Sequence, residues 1–270
     1  MRHPKALWLS LLLIVGLPTA AQAAKVVDVG VAREAGCAVR DDGAVFCFGF
    51  NPALDPDVDG KLRRVPSVSA RKVAVSGNHV CVVDAKGSVR CAGGGAAIEV
   101  LPGASVPEAD DIPDPDATKW RTVPNVTNAV DVQTGPHHTC ALTQNGDVVC
   151  WGSSYYGRLG PANKDQRPAK VPGLGKAVEL SITDDLTCVL SSDKKVRCFG
   201  QTWKDSGEER AGEIVPLESP PAKAVGSGFG LGCALLEDGV RAVCAGNVSG
   251  LTDKDGPGPV TVKLPEKATR

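Results

Sequence analysis

The stretch HHTCALTQNGDVVCWG, residues 137–152, places two cysteines ten residues apart on either side of Asn145-Gly146. Asn-Gly between two short apolar runs is a strong signal for a β-hairpin. With a three-residue loop that ends in Gly146, Cys140 and Cys150 face each other across the two strands. Such a non-hydrogen-bonded pair has Cα atoms about 4.5 Å apart, near the short end of disulfide geometry. The stretch therefore predicts a hairpin held by a disulfide.

The same pattern occurs five times along the chain. An apolar residue stands eight positions before each first cysteine, a glycine stands two positions after each second cysteine, and an apolar-Pro pair follows. The first cysteines are 44, 59, 48 and 45 residues apart, a period that indicates a repeat architecture. The predicted disulfides are Cys37–Cys47, Cys81–Cys91, Cys140–Cys150, Cys188–Cys198 and Cys233–Cys244.

Each repeat contains four short β-rich segments, and no segment after the N-terminus has sustained helical periodicity. One four-stranded sheet cannot bury both of its faces, so neighbouring repeats must stack. We therefore expect residues 24–270 to form one all-β domain, a β-propeller with five blades.

Two of the five hairpins depart from the pattern. The fourth has Lys194 where the other loops have glycine, which predicts backbone strain at that position. The cysteines of the fifth, Cys233 and Cys244, are eleven residues apart, so that hairpin has one extra residue. We expect a β-bulge there.

Residues 1–23 have a basic start, an apolar run and a small-residue end at Ala21-Gln22-Ala23, as in a secretory signal peptide. No other segment is apolar enough to span a membrane. Ten cysteines without a C-x-x-C motif also fit an oxidising compartment. The formal charge is −1, or −3 without residues 1–23, which gives no reason to expect nucleic-acid binding. We expect an exported protein, periplasmic, at the cell surface or extracellular.

The repeats resemble those of the RCC1 (regulator of chromosome condensation) family. Residues 135–160 match the motif of this family best. The resemblance implies a β-propeller, typically of seven blades, whereas five repeats are present here. The founding activity, guanine-nucleotide exchange on a nuclear GTPase, requires a partner that an exported chain does not meet. Secreted relatives include proteinaceous β-lactamase inhibitors, so the resemblance implies protein binding through one propeller face. The matching segments are His137, Ala141-Leu142, Asn145-Gly146, Val148, Trp151-Gly152 and Gly157–Gly160, within which Arg158 replaces the motif's glutamine.

Two acidic segments are candidate sites. Asp55, Asp57 and Asp59 alternate before Gly60, a spacing that favours a polar loop, with a weak Ca²⁺ site as the alternative. The second repeat carries an acidic, proline-rich insertion at about residues 95–118. That composition favours an exposed loop, and insertions in repeat proteins often lie on the binding face. The candidate partner-binding acids in the insertion are Asp110, Asp111, Asp114 and Asp116.

Tyr155 and Tyr156, in the loop after Trp151-Gly152, are also candidate partner-binding residues, with loop filling as the alternative. Three histidines remain after residue 23, and His79 and His138 occupy the same repeat position, two before a first cysteine. We expect them to make structural hydrogen bonds, because no catalytic motif accompanies them.

The sequence thus favours a binding module without intrinsic catalysis, resident metal or cofactor. Its partner would be a protein or a cell-surface polymer. Two alternatives stay open. One is an enzyme, a hydrolase or lyase, with its site at the propeller channel. The other is a structural component of the cell envelope.

Overall fold

A computed structural model describes residues 24–51, 53–54, 60–103, 117–202, 212–228, 230–246 and 259–263. These residues form five four-stranded antiparallel sheets, each made of strands that are consecutive along the chain. The predicted all-β fold with five blades is confirmed. No helix among the described residues is long and apolar enough to cross a membrane. The predicted signal peptide, residues 1–23, lies outside the described residues.

The strands are numbered in chain order. Blade 1 contains β1 (Val26–Val31), β2 (Ala35–Arg40), β3 (Ala44–Gly49) and β4 (Arg63–Ser69), and blade 2 contains β5 (Lys72–Val75), β6 (His79–Val83), β7 (Val89–Gly93) and β8 (Arg121–Thr122). Blade 3 contains β9 (Ala129–Thr134), β10 (His138–Thr143), β11 (Val148–Gly152) and β12 (Ala169–Lys170), and blade 4 contains β13 (Ala177–Ile182), β14 (Leu186–Ser191), β15 (Val196–Gly200) and β16 (Val215–Pro216). Blade 5 contains β17 (Ala222–Gly228), β18 (Leu231–Leu236), β19 (Arg241–Gly246) and β20 (Val260–Lys263). Two short helical segments, α1 (Ala96–Glu99) and the 3₁₀ turn Tyr155–Gly157, lie between strands.

All ten cysteines form the predicted disulfides, each between the second and third strands of one blade. Cys140 lies directly opposite Cys150 in the strand register. The Cα atoms of every pair are 4.1 Å apart, as expected for facing residues that are not hydrogen-bonded to each other. The disulfides are thus clips within hairpins and do not join different blades.

Of the two predictions for irregular hairpins, one is confirmed and the other is wrong. Lys194 has a φ of 63°, so a lysine occupies the left-handed conformation that glycine has in the corresponding turns, as predicted. The β-bulge predicted in the fifth hairpin is wrong. The register between β18 and β19 runs without a shift from Cys233 opposite Cys244 to Leu235 opposite Ala242. Six residues lie between the facing residues Leu235 and Ala242, whereas five lie between Leu142 and Val148 of blade 3, so the extra residue lies in the turn.

The core lies between blades. We call the sheet face that carries the cysteines the disulfide face and the other the leading face. The disulfide face of each of blades 1 to 4 packs against the leading face of the next blade. Within the described residues, no hydrophobic cluster joins blade 5 to blade 1. At the first interface, Cys37, Val39, Val45 and Cys47 pack against Val73, Val75, Val80 and Val82.

The beginning of the predicted insertion is part of this core. Ala97, Ile98 and Leu101 are buried in the cluster that also contains Trp151 of blade 3. The expectation of an exposed loop over the whole of residues 95–118 is therefore wrong for Ala97, Ile98 and Leu101. The short helix Ala96–Glu99 buries Ala97 and Ile98, whereas Glu99 is exposed. Residues 104–116 lie outside the described residues.

Candidate protein-binding face

The order of strands gathers the long connections at one end of the propeller. In an antiparallel blade, the connections after the first and third strands leave from the same end, and the hairpin turn is at the opposite end. Those turns are short, with five or six residues between the last facing pair of each hairpin. We call the end with the long connections the loop face. The connections between third and fourth strands span residues 50–62, 94–120, 153–168, 201–214 and 247–259.

Tyr155 and Tyr156 form an exposed aromatic pair on the loop face. Their side chains are 59% and 39% exposed, and the ring centroids lie 4.3 Å apart with the planes inclined at 61°. Tyr156 has a φ of 54°. A left-handed conformation is rare for a bulky residue and often marks a functional constraint. The predicted candidates therefore lie together, and part of each ring is available to a partner.

The buried side chain of Arg158 contacts both tyrosine rings. It is 6% exposed, and its guanidinium carbon lies 5.4 Å from the Tyr156 ring centroid and 6.0 Å from that of Tyr155, within cation–π range. Its Nε donates to Asp185 Oδ1 at 2.7 Å, and its Nη1 donates to Ser153 Oγ at 3.0 Å. Asp185 belongs to the β13–β14 connection of blade 4. The aromatic pair is thus fixed across the boundary between blades 3 and 4.

Arg158 and Asp185 were not predicted as site residues from the sequence. Arg158 stands where the RCC1 motif has glutamine, and this departure was the available signal. Asp185 precedes a first cysteine by three positions, and nothing local marks it as a partner of a residue 27 positions away.

The acidic candidates lie outside the described residues: Asp55, Asp57 and Asp59, and Asp110, Asp111, Asp114 and Asp116. The Ca²⁺ site and the acidic binding segment therefore remain predictions. Among the residues that are described, no group of three or more His, Cys, Asp or Glu side chains is placed to hold a metal ion.

The two repeat-position histidines connect blades, as predicted for structural residues. His79 Nε2 lies 2.8 Å from Thr139 Oγ1 of blade 3, and His138 Nε2 lies 2.8 Å from Thr187 Oγ1 of blade 4. Both rings are fully buried. Burial lowers the pKa of each histidine to about 3, with smaller contributions from nearby cationic groups. Neutral imidazoles therefore join blade 2 to blade 3 and blade 3 to blade 4.

A polar cavity of about 450 Å³ lies among the first strands of blades 1 to 4, along the central channel. Lys72 Nζ is 2.9 Å from Asp28 Oδ1, and the backbone N–H of Val73 donates to Asp28 Oδ2 at 2.8 Å. Glu179 accepts from the backbone N–H of Val225 at 3.3 Å. Desolvation raises the pKa of Asp131, and a hydrogen bond from Gln133 partly offsets it. Asp28 and Glu179 thus contact the following blade.

Comparison with known proteins agrees with this geometry. The family model of the regulator of chromosome condensation (RCC1) repeat matches residues 129–158, which include the hairpin of blade 3. Prp20p of Saccharomyces cerevisiae has a similar structure, with a TM-score of 0.70 and 19% identity over 91% of this chain and 65% of that chain. The chain is a β-propeller of RCC1-like repeats.

The chain is also similar to parts of larger proteins. Human WBSCR16 has a TM-score of 0.72 at 14% identity, over 88% of this chain and 67% of that one. Human E3 ubiquitin-protein ligase HERC2 is 39% identical over 88 residues, 31% of this chain and 2% of HERC2. This chain therefore spans a very small part of that curated relative. Yeast Prp20 has also been solved bound to Kap60.

Proposed function

We propose that this RCC1-repeat propeller is an exported binding module that engages another protein through its loop face and catalyses no reaction. The observation that carries the proposal is the tyrosine pair, exposed on the loop face and fixed by Arg158 and Asp185. Tyrosine and arginine are enriched among residues that dominate binding energy. A pair that is ordered before binding also loses little conformational entropy when a partner docks.

Export is supported by the cysteines and the N-terminus. All ten cysteines are paired within hairpins, and paired structural disulfides persist in oxidising compartments. Residues 1–23 have the composition of a signal peptide. Protein binding by this fold has a precedent in yeast Prp20, which binds Kap60.

The proposal that the protein catalyses no reaction is supported by the contacts of the acidic side chains that line the channel. Asp28 pairs with Lys72 and accepts an N–H from blade 2, and Glu179 accepts one from blade 5. Both carboxylates therefore have a structural role, because each one bonds to the next blade. Asp131, with its raised pKa, is the channel residue that best suits an acid catalyst, so Asp131→Asn tests the enzyme alternative. A hydrolytic activity of the native chain that this substitution abolishes would contradict the proposal.

The binding proposal is tested by affinity capture from an extract of the cell envelope and medium. We expect Tyr155→Ala/Tyr156→Ala to lose most of the captured partner. The matched control is Val178→Ala, which alters a side chain 52% exposed on blade 4, outside the loop face. Digestion of the extract with protease before capture should abolish binding. Binding that survives digestion would indicate a polymer, and equal capture by both variants would contradict the role of the tyrosines.

The acidic segment is tested in the same assay by replacing residues 104–116 with a Gly-Ser linker of equal length. A deletion of the whole insertion is unsuitable, because Ile98 and Leu101 are core residues at 1% and 3% exposure. If the acids Asp110, Asp111, Asp114 and Asp116 contact the partner, the linker variant captures less of it, and the loss diminishes at high salt.

A further inference from the structure

The leading face of blade 1 is exposed at positions that are core in every other blade. The apolar residue eight positions before the first cysteine is 5% exposed in blade 2, 1% in blade 3, 4% in blade 4 and 9% in blade 5. Val29, at the same position of blade 1, is 64% exposed. Val29 therefore stands at the position of an inter-blade core residue, but no blade of the described chain covers it. The buried equivalents are Val73, Val132, Leu180 and Val225.

A second repeat position behaves in the same way. The residue directly after the second cysteine is 0% exposed in blades 2 to 5, where it is alanine, tryptophan, phenylalanine and alanine in turn. Phe48 of blade 1 is 46% exposed. The large aromatic side chain that fills the interface in blades 3 and 4 therefore lies open to solvent in blade 1.

These residues form one continuous apolar surface. Because residues paired across antiparallel strands point to the same side of a sheet, the register defines two rows on the leading face. The ring of Phe48 lies over Gly36, where a Cβ atom would be 2.7 Å from the ring, so the surface is flat at that point. The rows are Val31–Gly36–Phe48 and Val29–Ala38–Phe46.

Exposed apolar side chains are concentrated in this blade. Of the ten large hydrophobic residues that are exposed among the described residues, seven lie between Val26 and Leu62. Single exposed hydrophobic residues are ordinary, but a contiguous apolar patch marks an interaction surface. The leading face of blade 1 is such a patch, separate from the tyrosine pair on the loop face.

The disulfide face of blade 5, which would be the natural complement of this surface, is less open than the leading face of blade 1. On the disulfide face of blade 5, Cys244 and Val260 are 4% and 8% exposed, and Leu231, Cys233 and Ala242 are half-buried around them. Head-to-tail contacts through blade 5 would also extend into chains or rings, whereas a two-fold contact of one surface with itself ends at a dimer. An exposed patch on one side only favours the two-fold contact.

The area fits a weak dimer that forms only at high protein concentration. A fully exposed aliphatic or aromatic side chain offers about 100 Å² of apolar area. Val26, Val29, Val31 and Phe48 are between 46% and 74% exposed, so they contribute roughly 500 Å² over two copies. The neighbouring Phe46, Ala38 and the stem of Arg40 are partly exposed and enlarge the contact, which stays below the roughly 1,200 Å² of standard specific interfaces.

We propose that a second copy of this chain covers the leading face of blade 1 with its own leading face, so that the protein forms a two-fold dimer through blade 1. The two sheets pack face to face, as in a β-sandwich. The loop faces stay free, so a dimer presents two tyrosine pairs to its partners.

The test is the mass of the chain in solution, measured by sedimentation velocity and light scattering from 1 to 100 µM with the five disulfides formed. We expect a concentration-dependent dimer. Val29→Lys/Val31→Lys should shift the chain to a monomer throughout this range, because both changes place charge at exposed positions of the contact. The matched control Val178→Lys, at a side chain 52% exposed on blade 4, should remain dimeric.

Three results would overturn the proposal. The first is a monomer of the unmodified chain at 100 µM. The second is dissociation by Leu231→Lys, which would place the contact on blade 5. The third is a series of larger oligomers. Hydrogen exchange gives an independent measurement, since amides of β1 to β3 should be slower at 100 µM than at 1 µM and those of β18 and β19 unchanged. If Val29→Lys/Val31→Lys captures as much of the binding partner as the native chain does, the dimer contact and the loop face are two different surfaces.

Discussion

His138 of blade 3 and Thr187 of blade 4 are joined side chain to side chain, with the Nε2 and Oγ1 atoms 2.8 Å apart and both residues fully buried. His79 and Thr139 repeat this contact between blades 2 and 3. In each case a residue two positions before a first cysteine contacts the residue one position before the next first cysteine. The same register that aligns the disulfides therefore also connects neighbouring blades by hydrogen bonds.

Removal of the hydroxyl at this contact should destabilise the propeller. Thr187→Val keeps the shape of the side chain but leaves a buried imidazole nitrogen without its partner, which costs about 1–3 kcal/mol. We expect a loss of that size in the free energy of unfolding, measured by urea denaturation. Thr122→Val, at an exposed position of β8, is the control and should change stability by less than about 0.5 kcal/mol. An equal effect of the two substitutions would contradict the role of the contact.

Stability should fall with acid because of the same histidines. Their folded-state pKa is about 3, whereas an unperturbed histidine has 6.5, so the unfolded chain binds more protons between these values. Stability is then constant above about pH 6.5 and decreases by roughly 1.4 kcal/mol per pH unit for each histidine below it. Urea midpoints at pH 7, 6 and 5 measure this slope. His79→Gln/His138→Gln should flatten the slope between pH 6 and 5, and a chain equally stable at pH 7 and 5 would exclude this account.

The turn of the fourth hairpin offers a stabilising change. Lys194 has a φ of 63°, a conformation that costs a residue with a Cβ about 1 kcal/mol relative to glycine. Lys194→Gly should therefore raise the free energy of unfolding by about 0.5–1 kcal/mol, even though it removes the exposed ion pair with Glu237. The reverse change at the equivalent position of blade 3, Gly146→Ala, should destabilise, since its φ is 81° and its Cβ would lie 2.4 Å from the Lys176 side chain. Thermal unfolding of both variants checks the opposite signs.

Arg158 should matter for binding as well as for stability. Arg158→Lys keeps the charge but loses the fork that reaches both Asp185 and Ser153 under the tyrosine rings. We expect weaker partner capture than with the native chain, together with lower thermal stability. Arg167→Lys, an exposed change in the same connection, is the control. Full capture by Arg158→Lys would mean that the partner does not need the tyrosines in this position.

The fold was predictable because one covalent feature recurs in a fixed register. The pairing of Cys140 with Cys150 follows from the position of Gly146, and five such pairs define five blades. Contacts between residues distant in sequence were less predictable. No local pattern connects Arg158 with Asp185, and the acidic, proline-rich composition of the whole insertion obscures the short apolar run around Ile98. The bulge predicted for Cys233 and Cys244 failed because a hairpin accommodates an extra residue more easily in its turn than in a ladder that a disulfide fixes.

The exposure of Val29 illustrates a further limit. Its repeat position predicts a buried residue, and in four blades the prediction is right. Burial on a propeller blade depends on the blade in front of it. Among the described residues, no hydrophobic cluster joins blade 5 to blade 1, and a repeat pattern does not indicate whether two such blades pack together.

Site-specific photo-crosslinking tests the proposed loop-face binding most directly. A benzophenone side chain replaces Tyr156 in one chain, Val178 of blade 4 in a second and Lys86, in the hairpin turn at the opposite end of blade 2, in a third. After irradiation in an envelope extract, the account predicts one protein band joined to the chain labelled at 156 and absent from the other two. Crosslinks of equal yield at 86 and 156, or none at 156 while the labelled chain still captures its partner, would contradict it.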